Sequence, residues 1–112
     1  MKALFEPAAI LHESRVQEDH VKIWCHTTAE GAFELHQLNE GPLAHWCFDT
    51  SPYEYVIGVD AQPAAYAAER LGLEGAHALP RMFAALCMEA DACLVVCDLF
   101  DELTVPVYEK EL

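Results

Sequence analysis

Basic residues are scarce in this chain, and none lies between Lys22 and Arg70. Six Lys plus Arg stand against nineteen Asp plus Glu, a formal net charge of -13. A phosphate backbone is gripped by a basic surface, so direct nucleic-acid binding is not expected. The same imbalance favours a basic protein surface as partner. Long apolar runs are missing as well: none approaches the roughly 18 residues that would span a bilayer. The start of the chain lacks a basic stretch followed by an apolar one and a small-residue cleavage site. The expectation is a soluble, cytoplasmic protein with no membrane partner.

Several chemical signatures are also absent. There is no GxGxxG, GxxxxGK[ST], HExxH or GxSxG, which removes the common phosphate-cradling, zinc-protease and serine-hydrolase templates. The five cysteines, Cys25, Cys47, Cys87, Cys93 and Cys97, include no CxxC pair and are odd in number. Neither a disulfide framework nor a zinc knuckle is written here, and reduced, mostly packed thiols are expected.

What is present is apolar patterning: 54% of the 112 residues are hydrophobic, enough for one core and too few for two ordinary domains. The chain reads as one domain over residues 1–112. Residues 21–27 and 32–38 alternate on either side of Ala29-Glu30-Gly31, the pattern of a hairpin whose loop places Gly31 in the left-handed region. That register sets His26 opposite Glu34, Trp24 opposite His36, Lys22 opposite Leu38 and Cys25 opposite Leu35. Turn signals at residues 39–42 and 49–52 extend the meander through strands at 43–48 and 53–59. Leu38 then faces Leu43, His36 faces His45 and Glu34 faces Cys47.

One face collects Ile23, Cys25, Phe33, Leu35, Trp46, Phe48, Tyr55, Ile57 and Val59, the expected core. Beyond it, Asp60 or Gln62 with Pro63 starts a helix that stops near Gly72. A second helix from Pro80 sets Leu79, Met82, Phe83 and Leu86 on one side. Residues 93–97 are too short an apolar run to separate a buried strand from a helix by period alone, with strand preferred, and residues 104–108 read as a final edge strand because Pro106 cannot donate to an interior ladder. Pro7 favours a short opening helix. The fold class is α+β: an antiparallel meander of four or more strands with two or three helices packed on one face.

The opposite face carries the chemistry. His26, His36, His45 and Cys47 are metal-ligand types with Glu34 among them, so a zinc site is one reading, although no known motif fixes their spacing. The weight of the sequence falls elsewhere. The acidic segment without Lys or Arg points to a small binding protein that docks on a basic protein surface, as an inhibitor or immunity-like antagonist does. Its expected contact residues are Trp24, Glu30, Glu34, Leu38, Leu43, Glu54 and Val56. The alternative is a small enzyme or ligand-binding domain using the His/Glu/Cys face, with or without a metal. The apolar end of that face also suits a two-fold homo-dimer or a higher oligomer.

Overall fold

The computed structural model describes residues 8–111 except 88 and 90, with the side chains of Ala8, Lys110 and Glu111 also outside the description. Five strands, β1 (Ala8–Val16), β2 (Asp19–Thr27), β3 (Phe33–Glu40), β4 (Tyr53–Val59) and β5 (Tyr108–Glu111), form one antiparallel sheet in sequence order. Four helices accompany them: α1 (Pro42–Phe48), α2 (Ala61–Arg70), α3 (Leu79–Leu86) and α4 (Ala92–Glu102). The architecture is the expected α+β meander.

The β2–β3 hairpin has the register that alternation dictates. Thr28 N–H donates to the Ala32 carbonyl at 2.7 Å, and Gly31 sits at φ +97°. Outward from that loop, His26 pairs with Glu34, Cys25 with Leu35, Trp24 with His36 and Lys22 with Leu38. On β1, an irregularity between Ile10 and His12 turns Leu11 into the core at 3% exposure.

The chain departs from expectation after β3. Residues 42–48 are helical, so Leu38 does not face Leu43, and β3 pairs directly with β4 instead: His36 opposite Val56 and Leu38 opposite Glu54. Gly41, at φ +112°, starts this excursion, and a side chain there would run into the backbone of Glu18 and Asp19. Pro42 then occupies the first helical turn, where its missing N–H costs nothing. Leu43 N–H donates to the Asp19 carboxylate at 2.9 Å, so β2 supplies the cap that Gly41 lacks. Asp49 closes α1 in the left-handed conformation, its N–H on the His45 carbonyl at 2.8 Å.

Three further expectations are corrected. Residues 93–97 lie within α4, where Ala92, Val96 and Phe100 recur every four positions and are fully buried. The last strand is Tyr108–Glu111 rather than 104–108, an edge strand on β4 that begins after Pro106. Residues 8–16 are strand; the expected opening helix otherwise falls on residues outside the description.

The core lies between the sheet and α2–α4. Ile23, Cys25, Phe33, Leu35, Ile57 and Val59 meet Ala64, Ala67 and Ala68 of α2, Leu79 and Phe83 of α3, and Val96 and Phe100 of α4. The alanines at i, i+3 and i+4 let α2 approach closely. Phe33, Phe83 and Phe100 form a triangle with ring centres 5.4 to 5.6 Å apart. Each such side chain contributes about 1.5 to 3 kcal/mol when fully buried. Trp46 and Phe48, expected here, are 83% and 43% exposed on α1. Leu86 also points outward, at 64%.

Candidate functional site: the outer sheet face and helix α1

Alternation that sends Ile23, Cys25, Phe33 and Leu35 inward sends Trp24, His26, Glu34 and His36 to the face turned away from α2–α4. There His26 Nε2 lies 3.1 Å from Glu34 Oε1 and 3.2 Å from His36 Nε2, and His36 Nε2 lies 3.4 Å from Glu34 Oε1. The triangle follows from the hairpin: His26 and Glu34 are a cross-strand pair, and His36 is two residues beyond Glu34 on the same face. The side chains keep 22%, 22% and 15% exposure for His26, Glu34 and His36.

The surroundings hold these rings in place. The Trp24 indole stacks on His36 at 4.9 Å and 10° between planes, and Lys22 Nζ sits 5.4 Å from the centre of the Trp24 ring. Glu54 on β4 presents Oε2 at 3.5 Å from His36 Nδ1, a buried nitrogen with no hydrogen-bond partner among the described residues. Gly58 pairs with Tyr108, whose ring lies where a side chain on Gly58 would be. Partial burial, reinforced by Glu34 and Asp60, holds the Tyr108 hydroxyl above its ordinary range.

The same face ends in a second cluster. His20 is 8% exposed, with Nε2 at 2.8 Å from Glu13 and Nδ1 at 3.0 Å from Glu40. Two carboxylates on the two ring nitrogens favour the imidazolium, so the His20 pKa is raised, chiefly by Glu40 and then Glu13. The clamp ties β1, β2 and β3 together. Extending the hairpin register two pairs beyond Lys22 and Leu38, past Val21 and Asn39, puts His20 opposite Glu40, so this contact was within reach of the sequence.

Of the expected metal ligands, the fold brings together His26 and His36, with Glu34, and separates His45 and Cys47, which ride on α1. Of the expected contact residues, Trp24, Glu34, Leu38 and Glu54 are partly exposed on the outer face, Glu30 is exposed in the β2–β3 loop and Leu43 is exposed on α1. Val56 shares the outer face but is 1% exposed, and so is a packed residue rather than a contact.

Helix α1 projects instead. Trp46 is 83% exposed and Leu43 56%, while Phe48 stacks on Tyr53 with ring centres 4.1 Å apart. Beneath the helix lies a groove of about 220 Å³ lined by Val21, Asn39, Leu43, Ala44, Cys47 and Phe48, with Asp19 and Glu40 at its polar side. Asn39 Nδ2 is buried and lacks a partner among the described residues.

Four of the five thiols, Cys25, Cys87, Cys93 and Cys97, are held in their protonated form. Burial pushes Cys25 up to about 12 and Cys93 up to about 11, and raises Cys87 and Cys97 too. Protonated thiols are weak nucleophiles. Cys93 donates instead to Gln37 Oε1 at 3.0 Å, which also accepts from the Tyr55 hydroxyl at 3.1 Å.

None of the described helices is long and apolar enough to cross a membrane. No family model matches the chain, and neither a curated protein nor a solved structure shows significant similarity to it.

Proposed function

We propose that this chain is a small acidic binding protein that docks on a basic protein surface, acting as an inhibitor or immunity-like antagonist in the cytoplasm. The observation that carries this reading is Trp46, 83% exposed on a helix braced at both ends. An indole on an ordered helix has only two side-chain torsions to fix on binding and gains the burial of a large apolar surface. Tryptophan is accordingly among the residues that dominate interface energetics. Leu43 extends the apolar patch, and the groove beside it suits a side chain from the partner.

Charge supplies the rest. Glu18 and Asp49 are exposed beside α1, Asp19 and Glu40 are partly exposed, and no Lys or Arg occurs from residue 23 to residue 69. Such a rim favours Arg and Lys on the partner, steers its approach and repels acidic competitors. The described cysteines are all free thiols, which fits a reducing compartment.

Comparing wild type with Trp46→Ala as bait in pull-downs from the native host tests the reading. The expected result is a basic protein retained by the first and lost by the second, with an association rate that falls from low to physiological ionic strength. A partner that ignores both the substitution and the salt would overturn it. Light scattering on the protein alone separates the competing outcome, a homo-dimer through the same patch: mass would double and Trp46→Ala would abolish the doubling.

A further inference from the structure

We infer that His26, Glu34 and His36 form a binding site for one divalent first-row transition-metal ion, with zinc the best match to the donor set. The site is on the outer sheet face and is independent of docking through α1.

Size is the first argument. A tetrahedral ion bound at about 2.0 to 2.1 Å holds neighbouring donor atoms about 3.3 Å apart, by simple geometry from the usual zinc–nitrogen and zinc–oxygen lengths. The three donor atoms already lie 3.1, 3.2 and 3.4 Å from one another. An ion seated against this triangle reaches all three without a change of strand register. Two imidazoles and a carboxylate are hard-to-borderline donors of the kind that select zinc and its neighbours over calcium or magnesium.

Proton placement is the second argument. The Glu54 carboxylate at 3.5 Å from His36 Nδ1 favours the ring proton there, which turns the Nε2 electron pair toward Glu34 and His26. The Glu34 oxygen and the His36 electron pair then both face His26 Nε2. A single proton on His26 Nε2 can satisfy Glu34 or His36, but not both fully, whereas a metal ion satisfies all three donors. An outer carboxylate that fixes a ligand's tautomer is the usual support of a metal-bound imidazole, and Glu54 stands on that side of the His36 ring at ion-pair rather than hydrogen-bond distance. Trp24 stacked on the other side restricts the same ring.

Three protein donors leave a fourth position, and the partial exposure of His26 and Glu34 opens it to solvent. A structural zinc site closes all four positions with protein; one with three retains an exchangeable water or takes a ligand from outside. The fourth position here is of the second kind.

The test is a zinc titration, followed by calorimetry and by NMR of the histidine rings. His45→Ala with Cys47→Ser serves as the reference protein, since an exposed imidazole and an exposed thiol on α1 bind zinc adventitiously. The expected result is one equivalent bound, with ring signals of His26 and His36 shifting while those of His20 and His77 stay. In the reference background, Glu34→Gln and His36→Gln should each abolish saturable binding, and Glu54→Gln should weaken it about 10- to 100-fold. Cobalt in place of zinc should give the visible absorption of a four- or five-coordinate ion. If His36→Gln proves unfolded by circular dichroism, Glu34→Gln alone decides, because it keeps the shape and removes the charge. Absence of saturable binding in the reference protein would overturn the site. So would binding that survives Glu34→Gln, or shifts confined to His20 or His77.

Discussion

Trp46 and Phe33 are both large aromatic residues in alternating segments, yet the fold treats them oppositely: one is 83% exposed and the other fully buried against Phe83 and Phe100. Trp46→Ala should therefore change stability by no more than about 0.5 kcal/mol, as surface substitutions do. Phe33→Ala should cost about 3 to 5 kcal/mol, since it leaves a cavity in the middle of the aromatic triangle. Urea titrations of the two variants check this, and comparable losses would mean that α1 packs its indole. His20 gives a second prediction at this scale. Its folded pKa is raised above the ordinary value of 6.5 by Glu40 and Glu13, while that of Glu13 is lowered from 4.5 by His20. A raised histidine contributes stability that is complete below its unfolded value and lost as pH rises through its folded value. A lowered carboxylate contributes stability present above its unfolded value and lost as pH falls through its folded value. Between pH 4.5 and 6.5 both contributions stand, so the stability gap between the parent and His20→Gln should be widest there and should shrink in alkali. A gap that is constant with pH would mean that the ring acts through packing alone.

At the scale of elements, legibility depended on length and on where the partners came from. The β2–β3 hairpin was readable because alternating residues 21–27 and 32–38 flank a loop that demands one glycine, so the turn fixes every pair. His26, Glu34 and His36 were placed on one face by that register alone. Helix α1 was not readable, because its seven residues make scarcely two turns and residues 43–48 satisfy a period of 2 as well as one of 3.6. Its decisive signals are tertiary: the Asp19 cap arrives from β2, and Gly41 N–H is held by the Ser51 hydroxyl at 2.9 Å across the base of the excursion. His45 and Cys47 left the candidate metal site for that reason. Residues 93–97 failed likewise, since five apolar residues in a row carry no period, and Ala92 and Phe100 had to be counted in before the four-residue recurrence emerged. The β4 faces were nevertheless assigned correctly, because Tyr55, Ile57 and Val59 alternate with Glu54, Val56 and Gly58 whichever strand lies beside them. Glu54 thus reached His36 from the strand that replaced the expected neighbour.

At the scale of the whole molecule the charge is the largest unbalanced quantity. Nineteen carboxylate side chains against six Lys plus Arg leave most acids without a basic partner, so the summed field opposes the compact state. Ion pairs work the other way: Glu13–His20–Glu40 and similar contacts are attractive and are weakened by added salt. The two effects predict opposite responses, and the imbalance decides between them, because repulsive pairs outnumber attractive ones at such a ratio. Raising NaCl from about 0.01 M to about 0.15 M shortens the screening length from about 30 Å to about 8 Å, below the dimensions of the molecule, and so removes the long-range repulsion first. Close pairs such as the His20 clamp, at 2.8 and 3.0 Å, lie well inside the shorter length and survive. The urea midpoint should therefore rise over that range, with most of the gain at the low-salt end. The dependence should flatten in a variant with several exposed acids of the 23–69 segment replaced by the neutral amides, Glu30→Gln and Asp49→Asn among them. A midpoint that falls with salt would show that close ion pairs, rather than the net charge, govern how tightly this chain folds.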